Sequence, residues 1–170
     1  MLLFRNMSTK NIRGILRHLS CAVILGAGAI PQMVQAQETS LTTLSLSQAR
    51  LLAQSAERKA AGNQTSIVVT VVDASGQPLL VERMAGAQLA SIELSQRKAV
   101  SAVFYRRPSA AFEAALSSGK MAVLALPHAM PAGGGVPIFH NTQLVGGIGV
   151  SGGNNAQDAE AANAAVGALR

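Results

Sequence analysis

The chain has almost no cysteine, no tryptophan and few aromatic residues. Of its 170 residues, one is cysteine, Cys21, and 3% are aromatic. Cys21 lies in an N-terminal stretch that we expect to be removed, so we exclude disulfides, thiolate catalysis and cysteine-type zinc sites from the working domain. With few large side chains, stability must come from packing of small residues. We therefore expect close helix packing and self-association into a homo-oligomer that completes the apolar burial.

The N-terminal stretch has the order of a secretory signal. Four basic residues and no acidic one come first, namely Arg5, Lys10, Arg13 and Arg17. An apolar run over residues 19–34 follows, and the stretch ends on small residues at Ala36. The run is shorter than the about 20 residues of a spanning helix and contains glycine and proline. We predict a signal peptide over 1–36, no retained membrane anchor, and export to the periplasm or the extracellular space.

The charge balance does not indicate nucleic-acid binding. The whole chain has 14 basic and 8 acidic residues, but four of the basic ones lie in the predicted signal, which leaves a net charge of +2 on the remainder. That remainder has no basic cluster with interleaved aromatic residues. We therefore do not expect nucleic acid among its partners.

The rest of the sequence alternates between helical and strand patterns. Residues 37–44 predict a flexible tether, and 45–170 one domain in which Ser47 caps the first helix, which ends at Gly62-Asn63. The further predicted elements are strands at 66–73 and 78–83, helices at 90–107 and 110–116, strands at 136–140 and 143–151, and a helix from Asn155. Ile92 is expected on the inner face of the second helix, and Ser109 is expected to cap the third. The order α-β-β-α-α-β-β-α predicts an α/β (α+β) fold with a central antiparallel sheet of two hairpins packed with helices.

A glycine-rich segment, GGIGVSGG, carries Gly147, Gly149 and Gly152 with the spacing G-x-G-x-x-G. A dinucleotide site would need a second parallel strand and a later acidic residue, which the pattern does not provide. Two interpretations remain. Either the glycines let the strand approach a helix closely, or backbone N–H groups at the start of the last helix bind a carboxylate or another anion.

The long loop over residues 120–135 carries the candidate metal ligands. His128 and Met130 are side-chain types that ligate haem iron, although the sequence favours a partly exposed loop histidine beside a packing methionine. His140 is expected at a hairpin turn, and Tyr105 is expected to anchor a helix end. A loop of this length in a compact domain is usually functional or disordered.

Charged residues near strand and helix ends allow two interpretations. Arg83 ends the second strand, and Lys98 lies in a helix that is otherwise small and apolar. Both are suited to pairing with ligand carboxylates such as haem propionates, and both are equally interpreted as surface cations. Asp73 is expected to cap the turn after the first strand.

Five segments together resemble one known family. They cover residues 46 to about 168 and read LSLSQARLLAQSA, VVTVVDASGQPLLVERM, RKAVSAVFYRRPS, GGGVPIFHNTQLVGGIGVSGG and QDAE. The chain resembles the GlcG-like haem-binding proteins, which are similar in turn to the C-terminal domain of some corrinoid adenosyltransferases. The resemblance implies a compact α/β domain, homo-oligomeric assembly and, in some members, binding of haem or a related tetrapyrrole. The sequence departs from the family pattern after Arg83, where the usual acidic residue is replaced by Ala85, and at Ser101, where many members have threonine.

Three functional hypotheses follow. The first is an exported, non-catalytic protein that binds haem or a related tetrapyrrole in a sensing, sequestering or accessory role, in a glycine-lined site formed by the long loop, the second hairpin and helix 90–107. Its candidate binding residues are Arg83, Lys98, Ser101, Gly134, Gly135, Pro137, Gly149 and Ser151, with His128 and Met130 as candidate iron ligands. The second is an enzyme acting on a small carboxylic or hydroxy acid, with Arg83 or Lys98 binding the carboxylate and Asp73 or Ser151 handling a proton. The third is an oligomeric assembly module without a ligand.

Overall fold

The structure is a computed structural model that describes residues 43–169. The predicted signal peptide over 1–36 and all but the last two residues of the predicted tether lie outside the described residues. The elements are α1 (Leu46–Gly62), β1 (Val68–Asp73), β2 (Pro78–Arg83), α2 (Ala90–Tyr105), α3 (Ala110–Ser117), a 3-10 helix (Met121–Ala125), β3 (Gly135–His140), β4 (Gln143–Ser151) and α4 (Asn155–Gly167). This order of helices and strands confirms the predicted α/β fold.

The strands form one antiparallel sheet in the order β2-β1-β4-β3. Each of the two predicted hairpins is present, and β1 pairs with β4 to join them, with Thr70 opposite Gly149. β1 and β4 are therefore central, and both are nearly completely buried. The β-branched run of β1 fits this position, because a central strand is covered on both faces.

The two faces of the sheet pack against different helices. One face carries Val69, Val71, Ile148 and Val150, which form the main core with the alanine-rich stripes of α1 and α4. The opposite face packs against α2. Side chains alternate along a strand, so β4 places Ile148 and Val150 on the first face and Gly147 and Gly149 on the second.

The glycines on the second face allow α2 to approach the sheet backbone. A Cβ added to Gly149 would collide with the carbonyl oxygen of Ser95, and one added to Gly135 would collide with the carbonyl oxygen of Lys98. The structure thus agrees with the first interpretation of these glycines, which is that they let the strand pack closely on a helix. The expectation of close helix packing is confirmed in the same contacts.

The start of α1 differs from the prediction by two residues. Ser45, and not Ser47, is the N-cap, because its hydroxyl accepts from the backbone N–H of Gln48 at 3.2 Å while the Gln48 side chain accepts from the Ser45 backbone N–H at 2.9 Å. This reciprocal arrangement is a capping box. Leu44, which the prediction placed in the tether, is buried in the main core.

Three local predictions along α2, α3 and the loop are also corrected. Ile92 is 42% exposed, because the inner face of α2 consists mostly of smaller residues that fit against the sheet. Ser109 makes no capping hydrogen bond to α3; its hydroxyl accepts from Gly135 N at 2.8 Å and donates to Ala132 O at 2.6 Å. Residues 121–125, predicted as loop, form a 3-10 helix.

Candidate functional site

The larger of two candidate sites is a groove along the solvent side of α2, which we call the α2 groove. Its volume is about 590 Å³. Its walls are the β1–β2 turn, the outer face of α2, and the 3-10 helix with the segment after it. The lining residues include Val100, Phe104, Leu124, Leu126 and His128. Phe104 and Leu124 are 52% and 59% exposed. An opening of this size, lined by both apolar and polar side chains, is in the usual range for small-molecule sites.

His128 lies in the α2 groove beside an aromatic ring. Its imidazole packs on Phe104 with ring centroids 4.4 Å apart and an angle of 42° between the planes. Its backbone is in the left-handed region at φ 61°, which few non-glycine residues adopt. Such a conformation persists only where the surrounding structure supports it.

Hydrogen bonds from α2, α3 and the residue between them hold the segment around His128 in place. Tyr105 Oη donates to Pro127 O at 2.5 Å, which agrees with its predicted anchoring role. On the other side of His128, the backbone N–H of Met130 donates to Ser101 Oγ at 3.0 Å. Further along, Ser109 binds Ala132 O, and Glu113 Oε2 accepts from Gly133 N at 2.7 Å. The wall that carries His128 is therefore fixed to the helices at both ends.

The charged groups around the α2 groove are at its rim. Arg97 and Glu93, one helical turn apart, both line the groove, with Nη1 and Oε1 3.8 Å apart. Both side chains are more than half exposed, so this pair contributes little to stability and leaves the guanidinium accessible.

Asp73 ends β1 at the β1–β2 turn. Its Oδ1 accepts three hydrogen bonds, from the hydroxyl and the backbone N–H of Ser75 and from the backbone N–H of Gln77. The Ser75 hydroxyl is the main cause that lowers the pKa of the Asp73 carboxyl, and Asp73 caps its turn as predicted.

The second candidate site is a smaller opening, which we call the Lys98 cleft. Its volume is about 140 Å³. It lies between the N-terminal half of α2, the end of β4 and the start of α4, and its lining includes Ser91, Lys98, Met130, Ser151 and Asp158. In contrast to the α2 groove, four of its polar side chains are buried, those of Ser91, Lys98, Ser151 and Asp158.

A buried ion pair lies at the Lys98 cleft. Lys98 Nζ is 2.7 Å from Asp158 Oδ2 and donates to Val150 O at 3.0 Å. Asp158 Oδ1 in turn accepts from Gly153 N at 2.8 Å. The interpretation of Lys98 as a surface cation is wrong, because only 3% of its side chain is exposed.

The structure distributes the predicted site residues over several places. Lys98, Met130 and Ser151 meet in the Lys98 cleft, whereas His128 faces the α2 groove, so the two candidate iron ligands do not line one opening. Arg83 lies in neither site; it is exposed and its Nη1 donates to Ala87 O at 3.4 Å.

The remaining predicted residues are internal and line neither opening. Ser101 is fully buried and holds the loop through Met130 N. Gly134 lies against Lys98 and Asp158, and Gly135 and Gly149 lie against the backbone of α2, while Pro137 is opposite Gly147 in the sheet. The expected glycine-lined recess is therefore filled by α2 itself, since glycines that face a helix backbone at this distance leave no space for a flat ligand.

Sequence reasoning missed most of the walls of the α2 groove. Arg97, Val100 and Phe104 are on the outer face of α2, and Leu124 and Leu126 follow in the loop region. One signal was present: MAVLAL places large apolar residues in a segment without helical period, and exposed apolar clusters commonly mark binding sites. Among residues 43–169 no group of three or more His, Cys, Asp or Glu side chains is arranged to hold a metal ion. No helix within that range is long and apolar enough to cross a membrane.

The fold and the two openings define a small α/β domain with a sheet covered by helices on both faces. Residues 44–167 match the family described as haem degrading protein HbpS-like, and the chain belongs to this family. The resemblance to GlcG-like proteins is confirmed, because the chain is 32% identical over 108 residues to the protein GlcG of Escherichia coli K12, covering 64% of this chain and 81% of that protein.

Two further similarities concern the corrinoid adenosyltransferase PduO. The chain is 30% identical over 142 residues to PduO of Salmonella typhimurium, which covers 81% of this chain and only 42% of that protein. It also matches a crystal structure of a PduOC–haem complex, with a TM-score of 0.67 and 30% identity, covering 74% of this chain and 94% of that one. The related part of PduO is thus a portion of the whole enzyme.

Proposed function

We propose that this protein binds haem or a related tetrapyrrole, and that the α2 groove is the site. The observation that carries the proposal is the position of His128 in a groove that also presents the exposed apolar side chains of Phe104, Leu124 and Leu126. The similarity to a domain whose crystal structure is described as a haem complex supports the same ligand class.

The residues of the α2 groove fit such a ligand. Val100, Phe104, Leu124 and Leu126 offer apolar surface to a macrocycle, and burial of that surface favours binding. Arg97 at the rim is placed to pair with a propionate, a role that the sequence had assigned to Arg83 or Lys98. When bound, haem supplies an iron that takes an imidazole nitrogen as ligand and an absorption band that reports this ligation.

The Phe104 ring and the anchored backbone prepare His128 for this role. The ring limits the rotation of the imidazole, and the hydrogen bonds at Pro127 and Met130 limit the movement of the segment. A ligand group that is held in place before binding loses less conformational entropy on binding.

A haem titration of the full chain, followed by absorbance, tests the proposal. We expect a saturable shift of the Soret band, and we expect His128→Ala to remove the imidazole-ligated spectrum. His140→Ala is the matched control, because His140 is exposed at the β3–β4 turn and does not line the groove. His18→Ala controls for the third histidine. A spectrum that remains that of free haem in the unsubstituted protein would overturn the proposal, and an unchanged spectrum in His128→Ala would remove His128 from it.

We further propose that the protein is exported and self-associates, with haem binding in a sensing, sequestering or accessory role. The basic and apolar N-terminal stretch supports export. Two edge strands, β2 and β3, and exposed apolar residues such as Leu89 at 75% exposure support association. Fractionation of expressing cells tests export, and the native mass of the purified protein tests association; a cytoplasmic precursor of full length or a monomer would overturn the respective statement.

A further inference from the structure

We propose that the Lys98 cleft binds a small carboxylate, independently of the haem site. The cleft is separated from the α2 groove by residues 128–132, of which His128 and Ala129 line the groove while Met130 and Ala132 line the cleft. The inference rests on buried hydrogen-bond donors that have no acceptor within the described part of the chain.

The first such donor is on Lys98. An ammonium has three N–H donors, and the structure between residues 43 and 169 provides two acceptors, Val150 O and Asp158 Oδ2. The side chain is 3% exposed and lines the cleft. The third N–H is therefore available to a molecule in the cleft.

The second donor comes from a pair of serines. Ser91 and Ser151 are 2% and 4% exposed, both line the cleft, and their hydroxyl oxygens are 3.4 Å apart. The Ser151 hydroxyl donates to Ser91 Oγ, so the Ser91 hydroxyl hydrogen is the one that has no acceptor among the described residues. Buried polar groups are normally hydrogen-bonded, so the cleft presents two unused donors.

The chemistry of the cleft favours a carboxylate over a neutral acceptor. Asp158 already balances the charge of Lys98, but the cleft also includes Gly152 and Gly153 at the start of α4. The N-terminal end of this 13-residue helix adds partial positive charge. Two donors suit the two oxygens of one carboxylate group.

The size of the cleft limits the ligand. A volume of about 140 Å³ is equivalent to four or five waters at about 30 Å³ each. This admits a carboxylate with a chain of two or three carbons and excludes a tetrapyrrole. The methylene groups of such a ligand would contact Leu94 and Met130, which are the larger apolar residues of the lining.

Methyl NMR of the full chain labelled at methionine methyl carbons tests this inference, with propionate as probe and propionamide as its neutral match. In haem-free protein we expect propionate to shift the Met130 resonance in a saturable manner and to leave that of Met121, which does not line the cleft, in place. Propionamide should bind at least about tenfold more weakly, since it lacks the charge and one acceptor oxygen. The Met130 resonance is identified as the one that is missing from the spectrum of Met130→Leu.

Two serine variants localise the contact. Ser91→Ala should weaken propionate binding about tenfold. Ser95→Ala is the matched control, because this buried hydroxyl is one turn further along α2 and binds Thr70 outside the cleft. An unmoved Met130 resonance, equal binding of propionamide, or equal effects of the two serine variants would each overturn the inference. Because no haem is present, these outcomes are distinguishable from failure of the haem proposal.

Discussion

Lys98 Nζ and Asp158 Oδ2 lie 2.7 Å apart with 3% of each side chain exposed. The pair joins α2, on one face of the sheet, to the first turns of α4, which packs on the other face. Val150 O and Gly153 N complete the arrangement at the end of β4. A charge that is buried at such a position depends on its partner, since a single unpaired charge in the interior is strongly unfavourable.

Breaking this pair from one side should be strongly destabilising. We expect Lys98→Met to lower the free energy of unfolding by about 3–5 kcal/mol, because Asp158 would remain buried without its counter-ion. The double variant Lys98→Met with Asp158→Leu should recover much of that loss. Urea denaturation of the three proteins measures this difference.

A surface pair provides the control for Lys98. Lys59 and Glu160 are 2.6 Å apart, but 38% and 52% of their side chains are exposed. Lys59→Met should change the unfolding midpoint much less than Lys98→Met, because water screens and solvates these charges. Equal losses from the two substitutions would show that burial of the Lys98 pair has no energetic consequence.

Gly149 should tolerate no side chain. Gly149→Ala would place its methyl group against the carbonyl oxygen of Ser95 and the backbone nitrogen of Ala99, and neither backbone can move without shifting α2. We expect a loss of about 3 kcal/mol or more in stability. Gly62→Ala is the control, since nothing lies within 4 Å of the position of its new methyl group. Thermal unfolding measures both variants. Equal unfolding midpoints for Gly149→Ala and Gly62→Ala would contradict the close packing at Gly149.

The fold was predictable because its signals are local. The β-branched run of β1, the turn residues before Pro78 and the glycines of β4 each indicate their own element, and the order of elements leaves an antiparallel sheet. Helix ends were predicted less well: Ser45 and Ser47 are both good N-cap residues, but only Ser45 is followed three residues later by a glutamine, Gln48. This capping-box pattern was present in the sequence and was missed.

The candidate sites were less predictable than the fold, because they depend on which face of α2 each residue occupies. Lys98 was identified from its unusual position in a small, apolar helix, but its partner Asp158 is 60 residues away and no local pattern links the two. His128 was identified from its residue type. Phe104 and Leu124 were missed, because the α2 groove is formed by residues that do not pack in the core, and periodicity predicts only those that do.

The turn held by Asp73 should give a pH-dependent contribution to stability. Hydrogen bonds from Ser75 and Gln77 favour the carboxylate and lower its pKa in the folded state. Their contribution is therefore complete above the unfolded value of about 3.9 and is lost as pH falls through the lower folded value.

Asp73→Ala measures this contribution. At pH 7 we expect its Tm to fall by about 4 °C, and the difference from the unsubstituted protein should shrink below about pH 3. Thermal unfolding at both pH values tests the sign. A difference that grows on acidification would contradict the assigned cause.

Phe104 should contribute to ligand binding through its exposed ring. It is 52% exposed, lines the α2 groove and packs on His128, so its truncation removes apolar surface and leaves the imidazole less restricted. We expect Phe104→Ala to weaken haem binding about tenfold, equivalent to about 1.4 kcal/mol, and to broaden the absorption change on titration. Phe139→Ala is the matched control, since Phe139 is similarly exposed at 44% but is on β3 and does not line the α2 groove. If both variants bound haem equally, the ligand would have to contact a surface other than the α2 groove.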